Sequence, residues 1–255
     1  MFLDSDDEFV DDYCETMFDT INSGDFDICI CGNYSKFLDG IYTSTKIESK
    51  ESKIVDDPFS LRHTMWGNIF KTKLIKDNNI KCPDTLCEDG VFGIIAFTKA
   101  ENIIQLPNYN GYIYTVESDN NESITHKVTK EDILSFIDGC YLINDYLEEN
   151  SLNKQRLINH LKIIFFMFFK IHASRDEKLI LLNEILELEK NIGDTQFITI
   201  TDSKPMDLLN KLILNKKFNL FLFISFFCNK FYASNLIKNF LFRRYSNFRK
   251  IDSKI

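Results

Sequence analysis

Around Asp11 to Asn22 the apolar residues Val10, Tyr13, Cys14, Met17, Phe18 and Ile21 recur every three or four positions. That period gathers them on one face and predicts a helix over 11–22. The stretch Phe26–Cys31 then reads as a strand, with Cys29 and Cys31 on one face and Gly32-Asn33 as its end. From Tyr34 to Lys53 the chain is polar and mixed, which predicts a loop or a weak hairpin. Asp57-Pro58 suits a helix start, a capping carboxylate before a proline. Residues 71–79 read as a helix stopped by Asn78-Asn79. Glu88-Asp89 opens another, since acids in a first turn meet the positive end of the helix dipole. Asn102–Leu106 is a short strand and Pro107–Gly111 a turn. Tyr112–Val116 alternates as a second strand with both tyrosines on one face.

Beyond Lys127 the period is helical. Thr129-Lys130-Glu131-Asp132 resembles a capping box, followed by Ile133, Phe136, Ile137, Cys140 and Tyr141. Leu161–Ile171 is apolar almost all round, predicting burial. Ser174-Arg175-Asp176-Glu177 caps a helix from Lys178 to Lys190, and Gly193–Pro205 is a linker with a faint strand signal at Phe197–Ile200. The run Phe218–Cys228 is apolar except for Asn219 and Ser225, shorter than the roughly 20 residues a bilayer span needs.

Composition sharpens this picture. With 44% apolar residues, 24 Phe, 9 Gly and 4 Pro, the 255-residue chain favours packed helices and strands over a loop scaffold. Its net charge of −8 conceals an asymmetry: no Asp or Glu occurs from Leu208 to Ile251, where nine Lys and Arg stand among aromatics. That tail suits an interfacial helix on an anionic leaflet, or a core helix pair with a basic solvated face. No nucleic-acid module is recognisable, so a nucleic-acid partner is not expected. Seven scattered cysteines read as reduced thiols of a cytosolic compartment, and Cys82 and Cys87 lack partners at zinc-site spacing.

The candidate chemistry sits in two acidic stretches. Phe2-Leu3-Asp4-Ser5-Asp6-Asp7 runs from apolar to acidic without a basic residue. An apolar strand end delivering two spaced carboxylates can hold a hard divalent cation such as Mg²⁺ or Mn²⁺, with places left for phosphate oxygens. Taken alone, the stretch reads as a frayed, solvated acidic terminus. The second is Glu88-Asp89, ahead of the apolar run Val91–Phe97.

Taken in order, Leu3-Asp4-Ser5-Asp6-Asp7, Trp66, Glu88-Asp89, Tyr112 with Tyr114, and Ser123-Ile124-Thr125 resemble the family 2 glycosyltransferases over roughly the first half of the chain. The resemblance implies an α/β fold: part of a GT-A, Rossmann-like domain over 1–127, followed by a mostly helical region over 128–255. It implies inverting transfer of a sugar from a nucleotide-diphosphate donor to a carbohydrate or lipid-linked acceptor. By residue, it implies Asp89 as catalytic base, Asp6 as ligand of Mg²⁺ or Mn²⁺, and Asp4 on the nucleotide side. Glu88 would orient the loop, and Trp66 would lie near the acceptor, although Trp66 is equally readable as a core aromatic. His126 reads as an exposed loop histidine. Two departures stand out: the family often has Lys where this chain has Asn68, and Arg where it has Thr115.

The family also has a nucleotide-binding half ahead of its Asp-x-Asp motif, which here starts at the fourth residue. The expectation is that roughly 60 residues or more of βαβ structure are missing. A chain so truncated would bind donor weakly alone; it would be the downstream product of an interrupted gene, the result of a misplaced start, or a half that needs a partner chain. A cytoplasmic protein at the inner membrane face, touching lipid through 208–251, completes this reading. The competing reading is a non-catalytic membrane-associated or scaffold protein built on the helical region.

Overall fold

The computed structural model describes residues 1–43, 52–55, 64–116, 128–152, 173–192 and 249–251, with isolated positions between 153 and 172 and at 217, 218 and 220. Two compact units result. One comprises Met1–Pro83, Asp89–Asn121 and Arg243–Ile255; the other comprises Asp84–Glu88 and Glu122–Phe242.

The first unit is a seven-stranded sheet covered by helices. In chain order its elements are β1 (Glu8–Phe9), α1 (Tyr13–Asn22), β2 (Ile28–Phe37), β3 (Gly40–Thr43), β4 (Lys53–Ile54), β5 (Asn68–Phe70), α2 (Thr72–Asp77), α3 (Glu88–Lys99), β6 (Ile103–Thr115) and β7 (Arg249–Ile251). The long strands β2 and β6 run parallel at the centre. Each carries short antiparallel strands on its other side: β4 and β1 on β6, β5 and β3 on β2, with β7 beyond β3.

Strand alternation divides the core. Ile28, Ile30, Phe70 and Ile103 face one way and pack with Leu74 of α2 and Phe92, Ala96 and Phe97 of α3. Their neighbours Cys29, Ile69 and Ile104 face the other way and meet Tyr13, Met17 and Ile21 of α1. A central strand covered on both faces reads as a continuous apolar run, which is why Ile28-Cys29-Ile30 shows no polar alternation. The three α1 side chains are at most 3% exposed, and each contributes about 1.5–3 kcal/mol by burial as an upper figure. This sheet with helices bears out the α/β expectation.

Three local expectations are corrected. Gly32-Asn33 does not end β2, which continues to Phe37. Pro107–Gly111 is not a free turn but lies inside β6. Both follow from one irregularity, in which Leu106 faces Cys31 and Asn110 faces Gly32, leaving 107–109 bulged out of register. Gly32 makes this approach feasible, since a Cβ there would stand 2.1 Å from Asn110 Oδ1. Pro107, which has no N–H to give, falls in the bulge. Phe2-Leu3 is not a strand either; the strand is Glu8–Phe9, after the acidic motif. The weak hairpin does form, with Phe37 opposite Gly40.

In the second unit, α4 (Lys130–Glu149) opens with the expected capping box. Thr129 Oγ1 accepts from Asp132 N at 3.2 Å, and Asp132 Oδ2 accepts from Thr129 N at 2.8 Å. Ser174 begins α5 (Arg175–Ile192) the same way: its N–H donates to Glu177 Oε2 at 2.8 Å, and its Oγ accepts from Glu177 N at 3.3 Å. The two helices bury Ile133, Ile137, Cys140, Ile143 and Leu147 and, from α5, Leu181, Leu182, Ile185 and Leu188. Between them Ile164 and Phe168 are buried while Ile163 is 44% exposed, so the segment expected to be buried all round has a solvent side. The segment 84–88 closes onto α4, with Leu86 N donating to Ser135 Oγ at 2.9 Å. Cys87 Cβ lies so close to Gly139 that a Cβ there would approach it to 2.4 Å.

The expected helix at 57–58, the Ser123–His126 stretch, the 193–205 linker and most of the basic tail lie outside the described residues. Among those described, no helix is long and apolar enough to cross a membrane. The tail's last residues, Arg249–Ile251, form β7 and extend the sheet of the first unit.

Candidate functional site

The acidic motif is a tight turn. Asp7 N donates to Asp4 O at 3.2 Å, closing a β-turn over Asp4–Asp7. The chain then enters β1, whose pairing with Tyr112 and Ile113 of β6 sets the turn beside the last residues of that strand.

The three aspartates are treated differently. Asp7 is 8% exposed, and both of its carboxylate oxygens are filled. Tyr112 Oη donates to Oδ2 at 2.7 Å and Thr115 N to Oδ1 at 2.7 Å. Asp4 and Asp6 are exposed, and what is held there is their main chain. Asp4 N donates to Tyr112 Oη at 3.3 Å, and Thr115 Oγ1 donates to Asp6 O at 2.5 Å. Phe2 anchors the chain end by edge contacts with Phe70 and Phe92, at 6.1 and 5.4 Å between centroids.

Electrostatics follow from this crowding. Desolvation raises the Asp4 carboxyl above its ordinary value, and the neighbouring Asp6 adds to the rise. Asp7 is also raised, first by desolvation; the Thr115 N–H and Tyr112 O–H bonds oppose this, and Asp6 and Asp4 reinforce it. The Tyr112 phenol is held well above its usual range, by burial first and then by its bond to Asp7.

The second acidic stretch opens α3. Asp89 Oδ1 accepts from Met65 N at 3.2 Å. Met65 belongs to a turn closed by Asn68 Nδ2 on Thr64 O at 2.6 Å and by Thr64 Oγ1 on Trp66 O at 3.0 Å. Asn68, where the family often has Lys, is therefore a buried turn-closing amide, 2% exposed. Trp66 lies nearly parallel over Tyr112, at 5.0 Å and 27°, and over Tyr114, at 5.3 Å and 17°. The two tyrosines thus share a face as the alternation predicts.

The aspartate turn and Asp89 are therefore joined by a short relay: Asp4 and Asp7 to Tyr112, Tyr112 to Trp66, and Met65 beside Trp66 to Asp89. Glu88 is the first residue of α3 and closes the preceding turn through its N–H on Thr85 O at 3.2 Å. Sequence reasoning did not foresee the anchoring by Asp7 and Thr115. The signal was the alternation of Tyr112 and Tyr114 with Thr115 beside them, whose partners near the start of the chain no local pattern reveals.

Among the described residues no group of three or more His, Cys, Asp or Glu side chains could hold a metal ion. The carboxylates of the acidic turn that could reach a divalent cation are the exposed ones, Asp4 and Asp6. Hard oxygen donors in that number fit Mg²⁺ or Mn²⁺, which keep most positions for water and phosphate oxygens.

The architecture is mixed α/β, a sheet with helices, and is shared with solved structures. Its solved likenesses include S. aureus TarS, a glycosyltransferase. TarS residues 1–349 in complex with UDP-GlcNAc align with a TM-score of 0.58 at 17% identity, over 87% of this chain and 64% of that one. The same fragment in complex with UDP gives 0.56 at 19% identity, over 87% and 63%. A structure of S. aureus TarS gives 0.56 at 18%, over 87% and 38%. At these identities the likeness is one of fold, and this chain spans less than two thirds of each of those structures. No protein-family model and no curated relative matches the chain.

Proposed function

We propose that this chain is a nucleotide-sugar glycosyltransferase that inverts the anomeric centre, with Asp89 as base and the Asp4–Asp7 turn on the donor side. The carrying observation is the relay through Trp66 and Tyr112, which links the Asp4–Asp7 turn to Asp89 within one unit. The fold likeness to proteins crystallised with UDP-GlcNAc and UDP supports a uridine-diphosphate sugar as the first donor to try.

In this reading an acceptor hydroxyl lies against Asp89 and attacks the anomeric carbon from the face opposite the diphosphate. Its proton passes to the Asp89 carboxylate as the new C–O bond forms, and the bond to the diphosphate oxygen breaks with its electron pair leaving on the nucleotide. The Met65 N–H fixes the rotamer of the base. Trp66 and Tyr114 offer an aromatic surface beside it; Tyr114 is 36% exposed. Glu88 orients the start of α3. Mg²⁺ or Mn²⁺ held by Asp6, with Asp4 beside it, would neutralise charge developing on the leaving diphosphate. The acceptor is a carbohydrate or lipid-linked glycan handled at the cytoplasmic membrane face.

The test is release of nucleoside diphosphate from a panel of nucleotide sugars with Mn²⁺ and oligosaccharide acceptors. Asp89→Asn is expected to lower kcat by at least about 100-fold, the scale of a lost general base. Equal inertness of wild type and Asp89→Asn, with binding of the chain to anionic vesicles, would favour the scaffold reading instead.

A further inference from the structure

We propose that Asp7 and Thr115 are positioning residues which aim the Asp4 and Asp6 carboxylates at the cation and diphosphate without touching either. The inference rests on the glycosyltransferase reading above. Three acids within four residues would naturally be taken as one ligand set, but the structure separates them. The Asp7 carboxylate is buried, and each of its oxygens accepts a bond from a neutral donor, Tyr112 Oη and Thr115 N. A buried carboxylate engaged on both oxygens is spent on the protein, whereas the two exposed carboxylates beside it are not buried in this way.

What this buried group does is fix the main chain. Its two bonds, with Asp4 N on Tyr112 Oη and Thr115 Oγ1 on Asp6 O, tie the turn at four points to the end of β6, and Asp7 N on Asp4 O closes it. Of the three carboxylates, only those of Asp4 and Asp6 remain exposed. Thr115 stands where the resembling family often has Arg. A cation at that position could meet phosphate directly; a threonine cannot, and here it braces the turn. The chain thus spends the position on geometry, with its hydroxyl and amide serving two residues of the same turn. Partners of this supporting kind commonly change metal affinity by about 10–100-fold when removed.

Charge and geometry can be separated. Asp7→Glu keeps the charge and alters the reach of the carboxylate. Thr115→Val keeps shape and charge and removes the hydroxyl bond to Asp6 O, while Thr115→Ser retains it. Mn²⁺ affinity would be measured by electron paramagnetic resonance in the presence of UDP. Amide exchange at Asp7 and Thr115 would follow the turn itself, and Trp66 emission would verify folding. Asp7→Glu is expected to bind Mn²⁺ about tenfold more weakly. Thr115→Val should bind it roughly threefold to tenfold more weakly, with faster exchange at Asp7, and Thr115→Ser should match wild type. Wild-type affinity in folded Asp7→Glu and Thr115→Val would overturn the positioning role and leave the glycosyltransferase reading standing. Loss in Asp7→Glu as complete as in Asp6→Asn, with amide exchange unchanged, would make Asp7 a ligand and overturn it likewise. A wild-type chain that takes up no Mn²⁺ with UDP would overturn both.

Discussion

Replacing Tyr112 by Phe removes one oxygen atom from the centre of the relay. The ring is fully buried and its contacts with Trp66, at 5.0 Å, and with Phe9, at 5.7 Å, remain. What is lost is the 2.7 Å bond to the Asp7 carboxylate and the acceptor for Asp4 N. Water can replace the second, because Asp4 is exposed. It cannot readily replace the first, and a hydrogen bond to a charged group contributes about 1.5–3 kcal/mol net. The expected loss is therefore about 2 kcal/mol. With a urea slope of about 2 kcal/mol per molar, the unfolding midpoint falls by about 1 M. Emission of the chain's single Trp is the natural readout, because Trp66 stacks on the altered ring and reports the first unit. Asp7→Ala and the double variant complete a cycle, in which a coupling of about 1.5–2 kcal/mol is expected. A coupling below about 0.5 kcal/mol would refute the view that this bond holds the acidic turn.

Gly139→Ala in α4 sets two effects against each other. Helix propensity gains about 1 kcal/mol, but the new Cβ meets Cys87 Cβ at 2.4 Å and Thr85 Oγ1 at 3.1 Å, so a net loss of about 1–2 kcal/mol is expected by urea unfolding monitored at 222 nm. Gly32→Ala drives a Cβ into Asn110 Oδ1, at 2.1 Å. Asn110 Nδ2 donates to Thr43 Oγ1 at 2.6 Å, so the amide can escape only by breaking that bond, and Trp66 emission should report a loss of about 1–2 kcal/mol. Glu189 is 7% exposed with Oε1 unpaired, and burial pushes its carboxyl up to about 7. Its folded value exceeds its unfolded one, so its penalty is absent below about pH 4.5 and complete above about pH 7. After allowance for solvent screening that penalty is about 2 kcal/mol; Glu189→Gln should flatten the fall in helix stability across this window, and an unchanged slope would reject the assignment.

Helices with their own end signals were fully legible. Thr129 with Asp132 and Ser174 with Glu177 mark α4 and α5 because cap and partner lie three residues apart. The apolar run 28–31 likewise marked the core of β2, and alternation the shared face of Tyr112 and Tyr114. What failed were places where the other strand decides. Gly32-Asn33 and Pro107–Gly111 carry strong turn chemistry, yet parallel pairing carries both through as one bulge. Phe2-Leu3 has strand-like residues but finds side-chain contacts on Phe70 and Phe92 in place of a ladder. At the site, the acidic residues were visible as candidates, whereas the division of labour among Asp4, Asp6 and Asp7 was not. Residue type cannot tell which of three carboxylates is buried.

That division has a consequence for how the site comes into being. The bonds that hold the acidic turn join residues 105, 108 and 109 positions apart in the chain. Closing so long a loop costs entropy before any bond rewards it, and a two-residue strand such as β1 cannot hold itself in place. The turn is therefore ordered only once β6 has paired with β2, and the Trp66 stack forms on the same surface of the same strand. Both acidic stretches thus take their position from the end of β6. Disturbing Tyr112 or Thr115 should loosen the Asp4–Asp7 amides while those of the buried strand residues Ile28–Ile30 stay protected, because the core beneath them is closed by α1, α2 and α3 and does not draw on the acidic turn. Amide exchange that sped up equally in both places would show that the site and the sheet open as one unit, and that β6 is no separate foundation for the turn.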